Sequence, residues 1–68
     1  MRRFRLIRDD DISGVSGRGH VADGVEFDDG RVVTRWRAAI AQTCVWDSID
    51  HILAVHGHGG ATRIEWID

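Results

Sequence analysis

Histidines are the residues of this chain most able to do chemistry, and two of the four stand in the run His-Gly-His-Gly-Gly that ends at Gly60. Imidazole nitrogens serve as metal ligands and as general bases. A metal-dependent or histidine-dependent hydrolase would therefore use His20, His56 and His58. No Cys-x-x-Cys or His-Glu-x-x-His motif accompanies them, and a single cysteine cannot build a structural zinc site. We expect no metal ion and no cofactor, and keep the hydrolase as an alternative.

A general base also needs a neighbouring group that orients its ring. His20 or His58 could act as the base, with Asp23 or Asp47 as the orienting carboxylate. The sequence has no nucleophile elbow and no paired-carboxylate spacing that would support such a site. We therefore expect no catalytic residue, and a binding protein rather than an enzyme.

The glycines of the same run come after the predicted helix and not before it. Phosphate groups bind at the amino end of a helix, where free N–H groups and the positive end of the dipole face the ligand. Here the run meets the carboxyl end. We expect Gly57 to end the helix as a left-handed residue, and Gly59 and Gly60 to turn the chain into the last strand.

A second glycine-rich segment, Ser13 to Gly19, is the better candidate for a ligand site. Consecutive backbone N–H groups in such a turn can form a nest for an anion, and an arginine lies within it. A plain flexible loop has the same composition, and the sequence leaves both interpretations open. The expected ligand-binding residues are Ser13, Gly14, Ser16, Gly17, Arg18, Gly19, Arg35 and Arg37.

The cations of the chain are nine arginines and no lysine. A guanidinium pairs with planar anions and stacks on aromatic rings, so this set beside three tryptophans suits a planar anionic ligand. A GC-rich coding sequence would produce the same arginine content. The net charge of −2 lacks the basic excess of a general nucleic-acid binder, and we do not expect that function.

Alternating apolar and polar residues predict the strands. The first covers residues 3–8, with most of its arginines on one face. The second and third form a hairpin around Asp29 and Gly30. If these two residues are the centre of the turn, the side chains on the core face are Val25, Phe27, Val32, Thr34 and Trp36. Arg35 and Arg37 then point away from the core, and Trp36 would stack on a ligand only in the other register.

A short strand at residues 43–46 precedes the helix. Asp47 or Ser48 is expected to cap the first free N–H groups of that helix. Its apolar stripe consists of Ile49, Ile52, Leu53 and His56. A last strand covers residues 62–67. The order ββββαβ predicts a single α+β domain over residues 1–68, with a small, mostly antiparallel sheet of about five strands and one helix.

Small size points to self-association. A domain of 68 residues has a thin core, and such domains are usually supplemented by a disulfide, a metal or a partner subunit. The lone Cys44 excludes an internal disulfide and is expected to be an inert strand residue. Three tryptophans offer more aromatic area than one short helix covers. We expect a homo-oligomer, with a dimer paired through edge strands favoured and a tryptophan at its interface.

No apolar segment is long enough to span a membrane and no charged-then-apolar leader precedes the first strand. These observations predict a cytoplasmic protein without a membrane partner.

Two segments, SGVSGRGHVADGVEFDDGRVVTRW and HGHGGATRIEWID, together resemble a family of small proteins from actinobacteria, haloarchaea and their phages. The resemblance covers nearly the whole chain and implies a phage or prophage origin, hence a place in the host cytoplasm. Some small phage proteins sequester nucleotide immune signals, and analogy with them implies a non-catalytic module of the anti-defence type. It would hold an anionic, nucleotide-like ligand or inhibit a host protein. A pure protein–protein interaction module is a further alternative.

Overall fold

The computed structural model describes residues 1–9 and 19–68, with His58 described by its backbone alone. These residues form five strands and one α-helix in the order ββββαβ. The elements are β1 (Arg2–Arg8), β2 (Gly19–Glu26), β3 (Val32–Trp36), β4 (Thr43–Trp46), α1 (Ile49–His56), a short 3-10 turn (His58–Gly60) and β5 (Thr62–Trp66). The predicted class, a small antiparallel α+β fold, is confirmed.

The strands form one antiparallel sheet in the order β4-β3-β2-β1-β5. β1 pairs with β2 on one side and with β5 on the other, so the last strand of the chain lies beside the first. β4 and β5 are therefore the edges. They contain four and five residues, and short edges limit pairing with foreign strands.

The turn between β2 and β3 has three residues rather than the predicted two. The Phe27 N–H donates to the Arg31 carbonyl at 2.8 Å, and the Gly30 N–H donates to the Phe27 carbonyl at 2.9 Å. Gly30 has a φ of +91°, the left-handed conformation that closes a three-residue hairpin loop. The Asp29 carboxylate accepts hydrogen bonds from the backbone N–H and the guanidinium of Arg31. These bonds stabilise the turn and hold the pKa of the Asp29 carboxyl below its ordinary value.

The longer turn shifts the hairpin register by one residue. Val25 lies opposite Val33 and not, as predicted, opposite Thr34. Because side chains alternate along a strand, this shift moves Val25 away from the core face. Phe27 is 39% exposed and is not a core residue either. Both of these core predictions were wrong, whereas Val32 and Thr34 are fully buried as predicted.

The core lies between α1 and one face of the sheet, here called the helix face. Its buried apolar side chains are Phe4, Leu6, Val21, Ala22, Val32 and Ile52. The Phe4 ring lies directly against Gly24, and a Cβ built on Gly24 would overlap that ring. The core therefore requires a glycine at this point of β2.

α1 begins as the sequence predicts. Ser48 is the N-cap residue, and its hydroxyl accepts a hydrogen bond from the His51 N–H at 3.3 Å. Ile52 from the predicted apolar stripe is buried, and Ile49 packs against the core.

The end of α1 differs in detail from the prediction. Gly57 has φ −69° and ψ −27°, a right-handed conformation, so the predicted left-handed cap was wrong. The left-handed residues are Gly59 and Gly60, with φ of +66° and +101°. The Gly57 carbonyl accepts hydrogen bonds from Gly60 and Thr62 at 3.1 and 3.0 Å. The run still turns the chain from the helix into β5, as expected.

One arginine of β1 is buried on the helix face. Arg8 continues the alternation of Phe4 and Leu6 and is only 1% exposed. Its Nε donates to the Thr62 hydroxyl at 3.1 Å. A buried charged group is tolerated when its polar atoms have partners. Thr62, at the start of β5, is therefore one of the groups that stabilise Arg8 inside the core.

The other side of the sheet, here called the open face, carries side chains that alternate with those of the core. Its members include Arg5, Asp23, Val33, Arg35 and Val45. Neither α1 nor any described strand packs on this face, because α1 lies on the helix face. Within the described ranges, no helix has the length and apolar content needed to cross a bilayer.

Candidate functional site

A groove of about 540 Å³ opens on the helix face beside β4. It lies between the end of α1 and the connection from β3 to β4, which covers residues 37–42. The lining residues are Val21, Trp36, Arg37, Ala38, Ala39, Ile40, Gln42, Cys44, Trp46 and His56. Its volume lies within the range of small-molecule sites.

Two tryptophans form much of the groove wall. Trp36 and Trp46 end their strands, and each lies two residues from the cross-strand pair Thr34 and Cys44. Side chains two apart in a strand share a face, so both indoles lie on the helix face. The Trp46 Nε1 donates to the Thr34 hydroxyl at 3.0 Å. That bond satisfies the indole N–H and fixes the orientation of the ring.

His56 borders the groove at the end of α1. It is the last residue of the helical apolar stripe, so its ring is directed toward the sheet. The ring centroid lies 4.8 Å from Trp36 with an interplanar angle of 67°. It lies 5.5 Å from Trp46 with an angle of 86°. Both contacts have the edge-to-face geometry that aromatic pairs prefer, and the three rings form one continuous wall.

Arg37 is the arginine among the residues that line the groove. Its backbone N–H donates to the Val21 carbonyl at 2.9 Å, which anchors the chain just beyond β3. Its Nη1 lies 3.7 Å from the Asp23 carboxylate, a loose ion pair. A guanidinium has five N–H donors. The contact with Asp23 holds the guanidinium toward the open face, so it would have to turn away from Asp23 to meet a ligand in the groove.

A β-bulge brings His20 into contact with Asp23. Residues three apart in a regular strand lie on opposite faces. The register between β1 and β2 shifts after Leu6, so that Ile7 faces His20 and Val21 is the extra residue of the bulge. The His20 Nε2 therefore lies 2.6 Å from Asp23 Oδ1. This pair, one of those considered for a general base and its orienting acid, lies on the open face and does not line the groove.

The groove can perform recognition by stacking and by charge. Indole and imidazole rings offer flat apolar surfaces to a planar group, and a guanidinium can donate two parallel hydrogen bonds to a carboxylate or phosphate. Gln42 adds an amide with both donor and acceptor atoms. A planar anion satisfies all three kinds of group at once.

Family comparison assigns the chain to a phage protein family. Residues 1–68 match the model of the Acb5 phage protein family. The chain belongs to this family. The match confirms the small, phage-associated family that the sequence motifs implied. Comparisons with curated proteins and with solved structures found no match.

In this phage protein, one of the two arginines predicted downstream of the glycine-rich segment reaches the groove. Arg37 lines it, whereas Arg35 lies on the open face and donates to the Thr43 hydroxyl at 2.9 Å. Gly19 begins β2 with a φ of +81°. The remaining predicted ligand-binding residues, Ser13, Gly14, Ser16, Gly17 and Arg18, lie outside the described residues.

The sheet separates two of the three histidines considered as metal ligands. His20 lies on the open face beside Asp23, and His56 lies on the helix face between two tryptophans. The His58 side chain lies outside the described part of the chain. In the part that is described, no three His, Cys, Asp or Glu side chains come close enough to hold a metal ion. His20 and His56 are thus not brought together as that alternative requires.

Sequence reasoning missed the part of His56 and Trp46 in the groove. It placed His56 in the core, and it treated Trp46 as a strand residue and, with the other two tryptophans, as a candidate for a subunit interface. The signal that could have found the site is the even spacing of Trp36 and Trp46 from facing residues of a β-hairpin, which places both rings on the helix face. Cys44, predicted to be inert, lies between them and lines the groove.

Proposed function

We propose that this phage protein is a non-catalytic binding module that holds a small, planar, anionic ligand in the groove, with nucleotides as the favoured chemical class. Acting in the host cytoplasm, it would withdraw that ligand from host use. One observation carries the proposal: two indole rings and an imidazole ring line the same groove, and Arg37 is among its lining residues.

Stacking supplies the first part of the binding free energy. A nucleobase stacked on an aromatic side chain contributes about 1–3 kcal/mol. Trp36 and Trp46 are partly buried, so their orientations are fixed by the core before a ligand arrives. Prearranged rings reduce the entropy cost of binding. The groove is therefore suited to a flat, aromatic ligand rather than to a flexible chain.

Charge supplies the second part. Arg37 lines the groove next to Ala38, Ala39 and Ile40. Hydrogen bonds from a guanidinium to a phosphate are stronger than those between neutral groups. By turning from Asp23 toward the groove, the Arg37 guanidinium would meet a ligand that carries its anionic group next to its planar group.

Calorimetric titration tests this function. Wild-type protein should release or absorb heat with nucleoside monophosphates, and bind the matching uncharged nucleosides and inorganic phosphate at least tenfold more weakly. Arg37→Gln should lower the nucleotide affinity about tenfold or more, as expected for loss of a charge-assisted hydrogen bond. Arg31→Gln, an exposed hairpin arginine, is the matched control and should bind as wild type does. No heat and no melting shift with any nucleotide would contradict the proposal.

The Ser13 to Gly19 segment remains a proposed second part of this site. Arg18→Ala should weaken nucleotide binding if the segment supplies a further anion contact. An unchanged affinity in that variant would restrict the site to the groove. Inhibition of a host protein is the competing function, and it predicts capture of one host protein by a chain that binds no nucleotide.

A further inference from the structure

The open face carries a row of side chains whose charges alternate in sign. Cα pairing places Glu65 opposite Arg5, Arg5 opposite Asp23, and Asp23 opposite Arg35, across β5, β1, β2 and β3. The signs along this row are negative, positive, negative, positive. Because the row has an even number of alternating members, reading it backwards exchanges the two signs at every position.

A second row on the same face is apolar. Val25 pairs with Val33, and Val33 pairs with Val45 on the edge strand β4. Val25 and Val33 are half-buried by their neighbours, and Val45 is 73% exposed. Half-buried and exposed valines in one line across three strands form an apolar stripe beside the charged row.

The two ends of the charged row differ in their ion pairs. Glu65 contacts the guanidinium of Arg5 at 3.1 Å. Arg35 at the other end donates to the Thr43 hydroxyl. Within the described residues, no carboxylate lies within 4.0 Å of its guanidinium, because Asp23 turns to His20 and Arg37. The row therefore ends in a cation that an external carboxylate could pair with.

We propose that the open face binds the same face of a second copy of this chain around a two-fold axis that runs along the strands, between β1 and β2. That rotation places Glu65 of each copy opposite Arg35 of the other, and Arg5 of each opposite Asp23 of the other. Every acid in the row meets an arginine, which is the self-complementarity a two-fold interface requires. The dimer is a sandwich of two sheets, each still covered by its own helix.

The size of the face sets the expected affinity. The rotation overlaps four strands, β5, β1, β2 and β3; at ~4.8 Å spacing, with about five residues at ~3.3 Å, they give a footprint of roughly 19 by 17 Å. The two footprints together bury roughly 650 Å², less than the ~1,200 Å² of a standard specific interface, so the dimer is a weak one. Acid–arginine pairs largely offset their own desolvation cost and mainly fix orientation, so the apolar attraction comes from Val33, which the rotation places opposite Ile67 of the other copy. We therefore expect a weak dimer, with a dissociation constant of about 100 μM.

Sedimentation equilibrium of the full chain, with charge-reversal variants, tests this interface. Wild type should be dimeric at high micromolar concentration. Arg35→Glu and Glu65→Arg should each weaken dimerisation at least tenfold, and the double variant should restore it, because the reversed charges again meet opposite signs. Arg31→Glu, on the hairpin turn, is the control for a change of net charge and should remain dimeric.

Ile67→Asp gives a second, independent measurement, since the side chain is 43% exposed and lets the fold accept the change. It should produce a monomer that melts within a few degrees of wild type, whereas Val55→Asp, on the exposed side of α1, should leave the dimer intact. A wild-type monomer at all concentrations would overturn the proposal. A dimer unaffected by Arg35→Glu and Ile67→Asp would overturn it too, and would assign dimerisation to the edge strands predicted from the sequence.

Discussion

The imidazole of His56 meets the indole of Trp36 edge to face, with ring centroids 4.8 Å apart and planes at 67°. This contact joins the last residue of α1 to the last residue of β3. The position of the helix end and the shape of the groove therefore depend on the same pair of rings.

Removing the His56 ring should therefore destabilise the end of α1 and change the shape of the groove. We expect His56→Ala to lower the free energy of unfolding by about 1–2 kcal/mol, because two aromatic contacts and their buried area are lost. Urea denaturation measures the change, and near-ultraviolet circular dichroism should show altered tryptophan signals. His51→Ala, on the exposed side of the same helix, is the control and should change neither. Wild-type stability and spectra in His56→Ala would contradict this role.

The contact between Phe4 and Gly24 predicts a specific loss of stability. Gly24→Ala should cost about 1–3 kcal/mol, since the added methyl overlaps the ring and the core must shift. Phe4→Leu in the same chain should recover part of that loss, because the smaller side chain leaves room for the methyl. Chemical denaturation of both single variants and the double variant gives the coupling. Strictly additive losses would show that the two residues do not meet.

The contribution of the Thr62 hydroxyl to stability should depend on the presence of its buried partner, Arg8. Thr62→Val removes the hydroxyl that accepts from Arg8 Nε, and should cost about 1–3 kcal/mol by leaving a buried donor without its partner. In an Arg8→Met background the same change should cost far less, because no charged donor remains. A double-mutant cycle measured by urea unfolding tests this. Equal costs in the two backgrounds would rule out the coupling.

The fold was predictable because each element has a strong local signal. Alternation identified the strands, and Ser48 with the apolar stripe identified the helix. The hairpin register was not predictable, because Asp29 and Gly30 fit both a two-residue turn and a three-residue loop with a left-handed glycine. The bonds from Arg31 to Asp29 favour the longer loop, and the sequence does not show them in advance. The one extra residue in the hairpin loop moved Val25 and Phe27 out of the core.

The groove was less predictable than the fold. Arg37 was expected to bind a ligand, but its place beside Trp46 and His56 depends on how α1 packs over β3 and β4. Such packing joins residues far apart in the chain, and periodicity does not report it. The bulge that turns His20 toward Asp23 is likewise a property of the paired strands.

Acid should remove the contribution of Arg3 and Asp68 to stability. Hydrogen bonds from the guanidinium and the backbone of Arg3 hold the pKa of the Asp68 carboxyl far below its ordinary value. A folded-state pKa below that of the unfolded chain contributes stability above the unfolded pKa, near ~4. That contribution is lost as the pH falls through the lower, folded pKa.

Thermal melts of wild type and Asp68→Asn from pH 7 to pH 2 measure this effect. The difference in Tm should be largest near neutral pH and should shrink below about pH 4. Because both groups are on the surface, added salt should reduce the difference at neutral pH. A difference that grows in acid would show that another group controls it.

A fluorescence titration of the Trp66→Phe variant tests the central claim most directly. This variant keeps only the two groove tryptophans, so a stacked ligand reports on them alone. We predict saturable quenching by a nucleoside monophosphate, at least tenfold weaker apparent binding by the uncharged nucleoside, and no quenching of Trp66 in the Trp36→Phe/Trp46→Phe variant. Unchanged fluorescence of Trp66→Phe across a panel of nucleotides, or equal quenching in the two variants, would contradict a nucleotide-binding groove.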